Sequence, residues 1–129
     1  MMKVLLPLLL APSAIALADE PFALNGDPVK GKDHFTLLCI SCHGEKGRGD
    51  GVAAKAVLLK PKPTSFADPA NASRLTDEWV YKVIKDGGPS HGKSALMVSW
   101  SGSLNDQEIR NVAAYVLTFK PAVKPPKKK

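Results

Sequence analysis

The chain has 129 residues, with 18 Lys and Arg against 12 Asp and Glu, three His, two Cys and 44% hydrophobic residues. These figures exclude a large multidomain enzyme, a disordered polyampholyte and a disulfide-rich scaffold. The net charge of +6 is unevenly placed: five of the bases, Lys120, Lys124, Lys127, Lys128 and Lys129, lie in the last ten residues, and residues 19–119 hold 12 bases and 12 acids. A basic nucleic-acid-binding face is therefore not expected.

Residues 1–18 have the parts of a cleavable export signal. Lys3 is the positive start, Val4 to Leu10 with Ala11 the apolar run, and Ala16-Leu17-Ala18 the small-x-small cleavage site. The apolar run is too short to span a bilayer. The expected mature chain begins at Asp19, has 111 residues, and is a soluble periplasmic protein of a bacterium.

After a short N-terminal extension, 19–25, Asp27 and Pro28 open a helix expected to reach about Ser41. Residues 44–51 hold four glycines and must be loop. A short helix is expected from Val52 to Leu59, then an irregular proline-rich segment over 60–73. Thr76 caps a helix stopped by Gly87-Gly88, with Val80, Val83 and Ile84 on one face. Residues 87–103 read as loop. Asn105 with Glu108 forms a capping box for a last helix to about Phe119, in which Ile109, Val112, Ala113 and Val116 share a face. Residues 120–129 read as a disordered Lys/Pro-rich tail, since Pro121, Pro125 and Pro126 stop the helix. Nothing pairs into a convincing sheet.

The strongest chemical signal is Cys39-Ile40-Ser41-Cys42-His43, the C-x-x-C-H pattern of c-type haem attachment. Two thiols three residues apart can each add to one of two neighbouring vinyl groups, and the next residue offers its imidazole to the iron. A dithiol redox motif needs a strand-turn-helix setting that is missing here. A zinc site would have to draw on His34, His43 or His91 without a second ligand pair, and a disulfide across two residues would be strained.

With Gly26-Asp27, Gly31-Lys32 and Phe35 ahead of it, this motif resembles the opening helix of the class I cytochromes c, and the rest of residues 26–119 is similar to that family's later landmarks. The resemblance implies an all-α cytochrome c fold of about four helices around one covalent haem c, with the first and last helices crossing at Gly31 and Tyr115. It places a thioether ligand in the loop before the last helix, where Met97 is the only methionine of the expected mature chain; His91, six residues earlier, is the rival sixth ligand. The family's Gly-Pro after the haem motif is here Gly51-Val52, so the carbonyl that accepts from the proximal His is expected from Val52. Val98 follows Met97 where Pro is common. His34 is expected to face solvent.

Other matches carry less. Gly87 to Ser94 fits the P-loop pattern, but no strand and long helix flank it; Arg48-Gly49-Asp50 and Asn71-Ala72-Ser73 are short enough to arise by chance. No catalytic residues are expected. The function implied is single-electron transfer between redox proteins by a monomeric carrier, with Cys39, Cys42, His43 and Met97 holding the haem, His43 and Met97 on its iron, and the lysines of 120–129 available to an acidic partner or an anionic membrane. The alternative is a haem enzyme subunit or gas sensor with an exchangeable sixth ligand.

Overall fold

The computed structural model describes residues 20–57 and 60–122. The expected export signal (1–18) and the last seven residues of the Lys/Pro tail lie outside them. The described residues form five α-helices and no strand: α1 (Pro28–Leu38), α2 (Ile40–His43), α3 (Val52–Ala56), α4 (Asp77–Asp86) and α5 (Asp106–Leu117), with short 3-10 turns at Pro69–Asn71 and Pro89–His91. The class is all-α, as expected. The extra helix arises because the helical path is distorted at Cys39, with φ at −113°. Its amide closes α1 on the carbonyl of Phe35, and its own carbonyl then starts α2 by accepting from His43.

Each long helix begins where a side chain meets unpaired amides. Asp27 accepts from Val29 and Lys30, Thr76 from Trp79, and Asn105 and Glu108 form the reciprocal capping box of α5. In α4 the apolar positions Val80, Val83 and Ile84 are buried together, which decides the stretch in favour of helix over its β-branched strand preference.

The core sits where α1 crosses α5. Gly31 lies directly on the carbonyl of Asn111, so near that a Cβ would collide with it, and Gly26 makes the same approach to the carbonyl of Arg110. Beyond the crossing, Phe35 packs edge-on against Tyr115 at 5.2 Å between ring centres. Phe35, Ile109 and Val112 are almost wholly buried. Asn111 is a buried polar residue in this core, and its Oδ1 accepts from the Asp27 amide at 2.8 Å and from Gln107 at 3.0 Å.

Two boundaries differ from the sequence reading. Within the stretch taken as an N-terminal extension, Leu24 is buried and Arg110 donates to the carbonyls of Ala23 and Leu24 at 2.8 and 3.1 Å. The Arg110 guanidinium also lies over the rings of Tyr81 and Phe22. Its partner Asp106 is held well below the usual carboxylate range by the Tyr81 hydroxyl first and by Arg110 second. At the other end, Lys120 donates from Nζ to the Leu75 carbonyl at 2.8 Å. It therefore belongs to the folded unit, not to the tail, because a lysine whose ammonium satisfies a buried loop carbonyl is fixed at both ends.

Replacing Gly31 with Ala forces a methyl group into the Asn111 backbone, and overpacking at such a contact costs about 3 kcal/mol. Urea unfolding of Gly31→Ala should show a lowered midpoint with an unchanged slope; a midpoint equal to that of the wild type would remove this crossing from the set of structural constraints.

Candidate functional site

α1 and α2 deliver the motif to the edge of the core. Cys42 and His43 amides both turn back to the Cys39 carbonyl, at 3.2 and 2.9 Å, so the two thiols and the imidazole come from one tight turn. Both cysteines are free and half-buried. The glycine loop then folds under the motif, with Gly49 donating to the His43 carbonyl, Gly51 to that of Cys42, and Phe66 to that of Gly47. The ring of Phe66 stacks on His43 at 5.0 Å and 20°.

The Met97 loop is fixed to the end of α4. Gly87 stops that helix with φ at +89°, a conformation costly for any residue with a side chain, and so turns the chain back along itself. Gly88 donates to the Met97 carbonyl at 2.7 Å and Trp100 to that of Ile84 at 3.1 Å. The Ser99 hydroxyl reaches the Lys85 carbonyl at 2.6 Å.

Between these parts lies a cleft with an empty volume of about 1140 Å³, counting the portion open to solvent. Cys39, Cys42 and His43 line one part of it, Val80, Val83 and Ile84 of α4 another, Val112 and Val116 of α5 a third, and Met97 with Trp100 a fourth. All four expected site residues thus open on one cavity. Trp79 lines it as well, whereas His91 does not; His91 Nε2 instead lies 3.3 Å from the Asp86 carboxylate.

Desolvation sets the chemistry of the motif. Burial, and secondarily the neighbouring Cys42, pushes the Cys39 thiol up to about 12, while burial pulls His43 down to about 4. Neutral imidazole is the form that binds a metal. The expected bond from His43 to the Val52 carbonyl is not made: Nδ1 of His43 is buried without a partner. Val52 opens α3, and a carbonyl in that position is directed along the helix axis. His34, expected to face solvent, is half-buried, with Nε2 at 3.5 Å from Glu108 of α5. Its link across the α1–α5 crossing carries no signal in the local sequence.

The donor set fits a covalently held, iron-centred macrocycle: two free thiols three residues apart, one neutral imidazole, one thioether, and apolar walls.

Comparison with known proteins agrees with that fit. Residues 28–120 match the family model described as Cytochrome c. The chain is 34% identical over 104 residues to cytochrome c6 of Thermosynechococcus vestitus, covering 81% of this chain and 80% of that protein. It is 30% identical over 95 residues to cytochrome c-554(547) of Halothiobacillus neapolitanus, covering 74% of this chain and 99% of the relative. Among solved structures, the KustC0563 c-type cytochrome superposes with a TM-score of 0.55 at 22% identity, over 70% of this chain and 98% of that one.

The lowered His43 value has a consequence for acid stability. Its folded value of about 4 lies below the ordinary 6.5, so between those pH values the unfolded chain binds more protons than the folded one. Stability contributed by this group is complete above about pH 6.5 and is lost as pH falls toward 4, by about 3 kcal/mol in all. Because proton and metal compete for the imidazole, metal ligation of this ring should move the loss to lower pH. Urea midpoints of the haem-free chain measured from pH 7 to pH 3 check it, and a flat profile of that form over the whole range would contradict it.

Proposed function

Since the chain belongs to the cytochrome c family, whose cofactor is one covalently attached haem c, we propose that it is an exported, periplasmic carrier of single electrons between redox proteins. In this reading Cys39 and Cys42 form the two thioether bonds, His43 is the proximal iron ligand, and Met97 is the distal one. The haem supplies a one-electron couple. The protein's residues hold it: α1 and α2 bring the thiols and imidazole from one side of the sequence, and the α4-anchored loop brings the thioether from the other.

The observation that carries the choice of ligands is that Met97 lines the same cavity as His43 while His91 is engaged with Asp86 outside it. A second supports a carrier over an enzyme. No Asp or Glu lines the cavity among the described residues, so no carboxylate stands ready as general acid or base. With both axial positions filled by side chains, a substrate could reach the iron only by displacing one of them.

Intact mass should equal residues 19–129 plus one haem, with the haem retained after extraction in acidified organic solvent. The ferric protein should show the weak far-red band of Met sulfur on iron, and the ferrous protein should not bind carbon monoxide. Met97→Ala should abolish the band, lower the potential and admit carbon monoxide. Persistence of the band in Met97→Ala, or its loss in His91→Ala alone, would transfer the ligand to His91. Carbon monoxide binding by the wild type would favour a gas-binding or enzymatic role.

The remaining lysines of the C-terminal end, Lys124, Lys127, Lys128 and Lys129, supply like charges beyond the pinned Lys120. We assign to them the steering of encounters with an acidic redox partner, an effect that salt screens. Deleting 121–129 should leave spectrum, potential and melting temperature unchanged but slow reduction by an acidic partner several-fold at low ionic strength, with the difference vanishing at high salt. Equal rates at low salt would leave these lysines a solubilising role alone.

A further inference from the structure

The haem-binding cavity contains a second feature that neither the C-x-x-C-H motif nor the ligand loop explains. Its walls are apolar apart from two short polar stretches, Lys62 to Thr64 and Lys93 to Ser94. Lys62 is exposed, whereas Lys93 is half-buried. The Lys93 ammonium lies 5.8 Å over the ring of Trp79, itself a lining residue. The backbone of Lys93 is held from Gly88, whose carbonyl accepts its amide at 2.8 Å. Among the described residues Lys93 makes no ion pair, although Lys82 and Lys85 on the neighbouring helix each have a carboxylate partner.

A haem carries two propionate carboxylates. An ionised carboxylate withdrawn into an apolar cavity is costly unless an opposite charge accompanies it, and no described carboxylate competes for the cations that line this one. Resting on the reading of the site as a haem cavity, we propose that Lys93, steadied over Trp79, is the counter-ion of one haem propionate. The aromatic face keeps the ammonium at the wall in advance of the anion, and the Gly88 bond fixes where its stem begins. Lys93 touches the cofactor's periphery and takes no part in iron ligation; its effect on the iron is electrostatic.

Two consequences follow. A cation paired with the propionate offsets a negative charge near the iron, which would otherwise favour the ferric state, so removing it lowers the potential. Pairing also keeps the carboxylate ionised through neutral pH, whereas an unpaired one in an apolar wall takes up a proton more readily. The other charged or titratable groups facing the cavity are Lys62, His43 and the two cysteines, and in the loaded protein the last three are bonded to iron or haem.

The test uses the holoprotein, with covalent loading verified by mass and the far-red band, so that failure of the haem reading is seen separately. The wild-type potential should be independent of pH between about 5.5 and 8; a one-proton slope there in the wild type would itself overturn the proposal without any variant. Lys93→Gln should lower the potential and introduce that slope, and Lys93→Arg should restore both wild-type features. An unchanged potential and profile in Lys93→Gln would overturn the assignment. So would the appearance of the slope in Lys62→Gln with Lys93 intact, which would give the role to Lys62.

Discussion

The backbone contact between α1 and α5 is the constraint from which the remaining geometry follows. Because Gly31 rests on the Asn111 carbonyl, the two helices approach more closely than any pair separated by side chains. One turn further along α1, Phe35 is buried against Tyr115 and Phe119 of the closing segment. One turn beyond that, the chain reaches Cys39, where α1 ends. Val112 and Val116, on the same face of α5, form the wall opposite. The position of the thiols relative to the apolar wall is thus set by a glycine eight residues before the first of them. Asn111 fixes the axial register by accepting from the Asp27 amide that begins α1.

Around that crossing, the cavity is walled by pieces too short to be stable alone. α2 has four residues and α3 five, below the length at which an isolated helix persists in water. Their order comes from the hydrogen bonds of the glycine loop beneath them and from Phe66 against His43. A chain of this size has little apolar surface to spare, and it directs valines, an isoleucine and two tryptophans into a cleft. Most of those side chains already pack on the core on one side, and a large flat apolar group filling the cleft would add a packing partner on the other. The same desolvation that rewards such a group moves Cys39 up and His43 down: burial energy and ligand protonation have one origin.

What could be read from the sequence was local. The caps at Asp27, Thr76 and the Asn105–Glu108 box are satisfied within three residues, and C-x-x-C-H states its chemistry in a pentapeptide. The features that escaped are long-range. The bond from Arg110 to Ala23 and Leu24 closes more than 80 residues of chain, so residues 22–25 looked like an appendage. The Lys120 ammonium finds Leu75 across 45 residues; beside a run of lysines and prolines it is indistinguishable from tail. His34 and Asn111 are polar residues whose partners lie on another helix, and helical periodicity alone assigns them to the surface or leaves them unexplained. The break at Cys39 is a subtler case: nothing in the residue type forbids helix there, and only its φ of −113° marks the distortion, since the bonds to Phe35 and from His43 keep helical spacing.

The charges at the cavity bear on what kind of redox change the fold can host. Acidic groups are plentiful elsewhere, and Asp106 is locked between Tyr81, Arg110 and Lys85 on the α4–α5 seam. At the cavity itself the charged side chains are Lys62 and Lys93. Among the described residues no carboxylate joins them in the lining. The two candidate ligands, His43 and Met97, are tied in by backbone bonds, through Cys39 for the first and through Gly88 for the second, an arrangement that favours a change of charge with little rearrangement. A cavity with apolar walls and candidate ligands held in this way suits the one-electron carrier role proposed for the chain.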